Sequence, residues 1–101
     1  MSEQSALASI KSVEIYSKPD CFFCVRAKEI LSDLGIPFEE KHCDSRVGDP
    51  NFAVGAKNRE ELVRRAPDAP SQYPQIFINN QRVGGLDGLR AAMSQLGITL
   101  P

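Results

Sequence analysis

Apolar and polar positions alternate over residues 11–17, with Val13 and Ile15 on one face and Ser17 following them, the period-two pattern of a β-strand. Pro19 ends it. Over residues 22–34 the period changes: Ala27, Ile30, Leu31 and Leu34 recur at helical spacing, and Gly35 stops the helix with Pro37 just beyond. Residues 38–42 form a second short strand candidate. Residues 44–56 carry neither period and collect Gly48, Asp49, Pro50, Asn51 and Gly55, which predicts an unusually long loop anchored by Phe52 and Val54. A helix is predicted over 57–66 with Leu62 and Val63 inward, followed by a turn-rich bridge at 67–71. Residues 74–78 are the clearest strand, and Asn79-Asn80 is a two-residue hairpin signal into Gln81-Arg82-Val83. Gly84-Gly85 then breaks the chain before a last helix over 86–96, closed by Gly97. Residues 2–10 predict at most a frayed helical turn and carry no functional weight.

The order is strand, helix, strand, helix, strand, strand, helix. The first strand–helix–strand unit is expected to be parallel with a right-handed crossover, and the late hairpin antiparallel. An α/β fold follows: a four-stranded mixed sheet covered by helices on both faces.

A chain of 101 residues suffices for one domain with one core and no disulfide staples. A formal net charge of -1 removes the electrostatic argument for nucleic acid or an anionic membrane as partner. No apolar run approaches the roughly 20 residues a membrane helix needs, and the first nine residues do not read as a secretory signal. Three cysteines with one close pair suit a reducing compartment such as the cytoplasm better than a secreted disulfide framework.

That pair is where the chemistry concentrates. Cys21 and Cys24 stand where the first strand hands over to the first long helix. A thiol there meets the positive end of the helix dipole and unpaired backbone N–H groups, both of which favour the reactive thiolate. Lys18, three residues upstream, adds a positive charge. The expected arrangement is an exposed, activated Cys21 with Cys24 as its more buried partner, against the plainer alternative of a structural pair. C-x-x-C in a βαβ setting points to thioredoxin-like redox chemistry. A Cys₃His zinc set from Cys21, Cys24, His42 and Cys43 has poor spacing for a compact knuckle. Cys43 reads instead as a strand-end thiol outside the main cycle.

Four separated motifs then occur in one order: residues 13–18 with the Cys21/Cys24 pair, Arg59-Glu60-Glu61, residues 73–78 beginning Tyr73-Pro74, and Gly84-Gly85 with Asp87. From about residue 11 to the end they resemble a glutaredoxin of the dithiol type, with a thioredoxin-like fold. Residues 1–10 would be an N-terminal extension and 11–101 the glutaredoxin domain. The absence of Trp argues against thioredoxin itself.

The resemblance implies a glutathione-dependent thiol–disulfide oxidoreductase, with glutathione as reductant and co-substrate. Its protein partners would be disulfide-containing or glutathionylated proteins, and a monomer is expected. Cys21 would be the nucleophile and Cys24 the resolving thiol. Lys18 and Arg59 would face the glycine carboxylate of glutathione, and Phe23 would line the groove. Tyr73, before a cis-proline at Pro74, would pair its backbone with the cysteine of glutathione as an added strand does. Gly85, Leu86 and Asp87 would hold the γ-glutamyl end, although Asp87 also suits an ordinary helix cap.

Departures from the family pattern leave an alternative open. Phe22 stands where proline is usual, and its N–H, which proline lacks, can act on Cys21. Members without that proline sometimes bridge a [2Fe-2S] cluster between two subunits, for which Cys21 would be the ligand. No other metal is expected. Gln72-Tyr73 replaces the usual Thr-Val, which enlarges one groove wall. Two residues also look inserted between Arg65 and Pro74.

Overall fold

The computed structural model describes residues 3–43, 52–68 and 72–100. In chain order the elements are α1 (Glu3–Ala8), β1 (Val13–Ser17), α2 (Phe22–Asp33), β2 (Glu39–His42), α3 (Phe52–Arg65), β3 (Gln75–Ile78), β4 (Gln81–Gly84) and α4 (Leu86–Gln95). The strands form one mixed sheet in the order β2-β1-β3-β4. β1 runs parallel to β2, with Ile15 opposite Glu40, and antiparallel to β3, with Ile15 opposite Ile76. β3 and β4 are antiparallel, and their register shifts between Ile76 and Phe77. Asn79 and Asn80 both take positive φ, 51° and 69°, as a tight hairpin turn demands.

Alternation along the strands divides the interior in two. Val13, Ile15, Ile76 and Ile78 face one side, where they pack with Ala27, Ile30 and Leu31 of α2 and with Leu89 and Met93 of α4. Tyr16 and Phe77 face the other side, beside Leu62 and Ala66. So α2 and α4 cover one face of the sheet and α3 the other. α1 seals the edge of the larger core: Ala6 is fully buried, with Leu7 and Ile10 packed beside it. Asn79 ties that segment down, accepting from the amides of Lys11 (2.6 Å) and Ser12 (3.1 Å) and donating to the Ser9 carbonyl (2.9 Å).

α3 differs from expectation in its start and its rotation. It begins at Phe52, five residues before the predicted 57, and residues 44–51 of the expected loop lie outside the described residues. The stripe turned to the sheet is Gly55, Leu62 and Ala66, spaced seven and four apart as one helix face requires. Val54 and Val63 each stand one residue, about 100° of helix, off that stripe. They are 57% and 42% exposed, so neither is the inward residue expected.

The α3 face of the sheet also carries a polar network. Arg65 grips the Glu14 carboxylate with both guanidinium nitrogens (2.9 and 3.1 Å), donates to Tyr16 Oη at 2.7 Å and reaches Asn80 Oδ1 at 2.9 Å. Its guanidinium lies over the Phe77 ring, 3.8 Å from the centroid. Lys41 pairs with Glu14 at 3.0 Å and Glu61 at 2.6 Å, and Tyr16 Oη donates to Glu61. The Arg65 bond holds the Glu14 carboxyl below the usual carboxylate range, and the Lys41 bond does the same for Glu61. Burial penalises the Lys41 ammonium, but the two carboxylates outweigh it and the pKa goes up.

Candidate active site

β1 delivers the chain to the site. After Ser17 the backbone turns through Asp20 at φ 58° and enters Cys21 in an extended conformation, φ -111° and ψ 103°. Cys21 is thereby the N-cap of α2, and its Sγ accepts the Cys24 amide at 3.1 Å. Cap geometry aims a helix-terminal N–H at the sulfur, where a serine or aspartate would ordinarily place an oxygen. The two cysteines are joined as a disulfide with Cα atoms 5.2 Å apart.

Cys21 is 8% exposed and Cys24 2%. The expected order holds, but Cys21 does not project into solvent as predicted. In the closed disulfide its sulfur turns inward, against Cys24 and the first turn of α2. The apolar exposure at this site comes from its neighbours. Phe22 is 75% and Phe23 56% exposed, and their rings meet edge to face with centroids 5.7 Å apart.

Beside the pair lies an open groove. The Tyr73–Pro74 peptide is cis, and from it the chain runs directly into β3. Phe23, Gln72, Tyr73, Pro74, Gln75, Gly85, Leu86 and Asp87 enclose a cavity of about 250 Å³. Seven of these were singled out in the sequence: Phe23, Gln72, Tyr73, Pro74, Gly85, Leu86 and Asp87. Lys18 reaches the same wall, its ammonium 5.8 Å from the Tyr73 ring centroid. Arg59 goes elsewhere. Its Nε donates to the Cys43 carbonyl at 3.1 Å, and it borders a different hollow with Ala56, Glu60, Val63 and Arg64.

The far end of the groove is built by close approach of α4. Gly85 is the N-cap of α4, and a Cβ there would sit 3.3 Å from the Pro74 carbonyl oxygen. At Gly88 a Cβ would lie 1.8 Å from the Val83 carbonyl oxygen, so only glycine lets α4 rest on β4. Asp87 lies in the first turn of α4, where the helix dipole favours a negative charge. The free amides of that turn also suit a ligand carboxylate.

The groove residue missed from the sequence is Gln75; Gln72 lies in the wall that the sequence reading said it enlarges. Gln75 had left a signal: it is the one polar residue in the apolar run that follows Pro74.

His42 and Cys43 do not join this site. Cys43 is buried among Tyr16, Leu62, Ala66 and Phe77, while the His42 side chain is exposed and lies 3.6 Å from Glu40. Among the described residues, no group of three or more His, Cys, Asp or Glu side chains is arranged to hold a metal ion.

A dithiol closing a disulfide at a helix start, next to a cis-proline on a four-stranded mixed sheet, defines a thioredoxin-like thiol–disulfide oxidoreductase. Comparison with known proteins gives the same class and a finer one. The glutaredoxin family model matches residues 13–83. The chain is 38% identical over 87 residues to glutaredoxin 3 of Escherichia coli K12, spanning 86% of this chain and 92% of that protein. It is 39% identical over 79 residues to a glutaredoxin of Pseudomonas aeruginosa, spanning 78% and 81%. Among solved structures, glutaredoxin 1 of Francisella tularensis in complex with cacodylate superposes with a TM-score of 0.62. That match is 30% identical and covers 84% of this chain and 94% of that one. The chain belongs to the glutaredoxin family. Among the described residues, no helix is long and apolar enough to cross a membrane.

Proposed function

We propose that this protein uses glutathione to reduce protein disulfides and glutathione mixed disulfides in a reducing compartment such as the cytoplasm, acting as a monomer. The observation that supports this reading most is the groove of Phe23, Tyr73, Pro74 and Gly85 to Asp87, which begins at Phe23, two residues after Cys21, and ends at the N-terminus of α4. Its ends differ in charge preference. Lys18 lies against the Tyr73 wall and suits a carboxylate. Asp87 at the other end accepts an ammonium, while the first amides of α4 accept the adjacent α-carboxylate. A peptide with an anionic end, a central thiol and a zwitterionic end matches that order, and glutathione has that chemistry.

Cys21 carries the first step. Its thiolate, favoured by the Cys24 amide and the α2 dipole, attacks the glutathione sulfur of a mixed disulfide. The Cys21–glutathione bond forms as the bond to the protein breaks, and the protein thiolate leaves and takes a proton from water. A second glutathione thiolate attacks the bound glutathione sulfur. This releases glutathione disulfide and regenerates the Cys21 thiolate. With a protein disulfide, Cys21 attacks a protein sulfur instead. Cys24 then attacks Cys21 Sγ, releasing the reduced protein and forming the closed pair present in this structure. Two glutathiones reopen it. The groove's contribution is orientation, because exchange requires three sulfurs in line.

Replacing each cysteine separates the two routes. Cys21→Ser abolishes all turnover. Cys24→Ser keeps deglutathionylation and loses reduction of protein disulfides. Loss of both activities in Cys24→Ser would refute the assignment of the one-thiol route to Cys21 alone.

A further inference from the structure

Gln75 is 2% exposed, a primary amide buried in a strand whose other members are Ile76, Phe77 and Ile78. Burying an amide without partners is costly, so the residue's polar atoms must be engaged. They are, and in one direction only. The Gln75 side-chain oxygen accepts from Arg82 Nε at 3.2 Å. Its nitrogen donates to the backbone carbonyl of Gln72 at 2.9 Å. Arg82 in turn is held by Asp68, with Nη1 to Oδ1 at 2.7 Å.

The chemistry of the partners fixes how the amide lies. A guanidinium has no acceptor and a carbonyl has no donor, so the oxygen must face Arg82 and the nitrogen must face Gln72. The result is a relay from the surface carboxylate Asp68, through Arg82 and the buried amide, to one backbone carbonyl. That carbonyl belongs to Gln72, immediately before Tyr73. Gln72, Tyr73, Pro74 and Gln75 are consecutive lining residues of the groove. The side-chain bond from residue 75 back to residue 72 therefore closes a short loop around the cis peptide and fixes the direction of the Tyr73 backbone.

We propose that Gln75 is a positioning residue for ligand binding, oriented by Arg82, and that it presets the Gln72–Tyr73 backbone against which the peptide substrate pairs. The proposal rests on the glutathione-dependent reading above. Among the described residues, the side-chain hydrogen bonds of Gln75 go to Gln72 and Arg82 and not to the disulfide. Its loss should register in substrate affinity and leave thiol chemistry intact.

Gln75→Glu is the discriminating variant. A carboxylate of the same shape keeps the Arg82 partner, now as an ion pair, but turns an acceptor toward the Gln72 carbonyl where a donor stood. Three quantities are measured on reduced, full-length protein: KM and kcat for the mixed disulfide of glutathione and β-mercaptoethanol, the alkylation rate of Cys21 by iodoacetamide, and the amide hydrogen-exchange rate of Tyr73. Loss of one ordinary hydrogen bond predicts about a fivefold rise in KM. The same variant should leave kcat within about twofold and Cys21 alkylation unchanged, and should speed exchange at Tyr73. Arg82→Ala, which removes a half-exposed side chain, should move KM and Tyr73 exchange in the same direction by less. It serves as the test if Gln75→Glu does not fold. Unchanged KM and unchanged Tyr73 exchange in the folded variant would overturn the proposal, as would equal losses in kcat and alkylation rate. Were the wild type to show no turnover with this substrate, the glutathione reading would fall, and Tyr73 exchange alone would still judge the positioning role.

Discussion

Adding a methyl group at Gly88 tests whether the packing of α4 on β4 shapes the groove. The ideal Cβ position lies 1.8 Å from the Val83 carbonyl oxygen and 2.7 Å from its carbon. Ordinary contact needs about 3.4 Å, so Gly88→Ala must open the α4–β4 gap by roughly 1.5 Å. Neither side yields easily. Val83 belongs to β4, and α4 is anchored by Leu89 and Met93, both fully buried. Overpacking of this kind costs about 1–3 kcal/mol, and a clash between backbone atoms belongs at the top of that range. In a domain of this size, 3 kcal/mol corresponds to a fall in Tm of about 12–24 °C. The same displacement carries Gly85, Leu86 and Asp87 away from Pro74, so KM for a glutathione mixed disulfide should rise while Cys21 alkylation stays normal. Gly97→Ala is the control. Its φ of 78° strains an alanine, but nothing lies within 4 Å of the new methyl, and the cost should be about 1–2 kcal/mol with unchanged KM. Thermal unfolding of both variants, with steady-state kinetics, decides the matter. A Gly88→Ala protein within 2 °C of wild type, or with unaltered KM, would refute this packing argument.

Other predictions concern charge. Lys18→Gln should raise KM for the mixed disulfide about two- to fivefold, the scale of one exposed charge contact. Arg59→Gln should raise it less, because Arg59 is bound to the Cys43 carbonyl and lies outside the groove lining. A larger effect at Arg59 than at Lys18 would contradict the structural placement of both. Arg65→Met should lower stability at pH 7 by about 1–3 kcal/mol, discounted from a fully buried ion pair because Arg65 and Glu14 remain partly exposed. That penalty should shrink in acid. The folded-state pKa values of Glu14 and Glu61 lie below the ordinary 4.5. Their contribution is therefore complete above about pH 4.5 and is lost as pH falls through the depressed values. Urea unfolding of wild type and variant from pH 3 to 7 measures this directly, and a gap independent of pH would refute the network's electrostatic role.

Strands and hairpin were legible in the sequence because their cause is local. Val13 and Ile15 alternate with polar neighbours, and Asn79-Asn80 tolerates the positive φ that a two-residue turn imposes. The cysteine pair was legible for the same reason, since a strand end followed at once by a helical period leaves few positions for Cys21. The start of α3 was not. Gly55 within residues 52–56 argues for a loop by propensity, yet here it lies on the buried stripe with Leu62 and Ala66, where packing overrides propensity. Val63 misled for a related reason: hydrophobicity marks a candidate for burial, but helix rotation about the sheet decides between neighbours. The Arg65 network joins residues far apart in sequence, such as Arg65 with Glu14, and no periodicity encodes that distance; the Gln75 relay is local, but it depends on side-chain directions across the β3–β4 hairpin that residue spacing does not encode. Arg59 was assigned by resemblance, and its place beside Cys43 follows from where β2 ends against α3.

Glutathione dependence is the central claim, and one coupled assay tests it most directly. Freshly reduced protein is mixed with the mixed disulfide of glutathione and β-mercaptoethanol, glutathione, glutathione reductase and NADPH, and absorbance at the nicotinamide band is followed. The account predicts NADPH consumption that scales with protein concentration, requires glutathione and vanishes in Cys21→Ser. Consumption at the level of the protein-free blank, by a protein whose Cys21–Cys24 pair still closes and reopens with dithiothreitol, would contradict it.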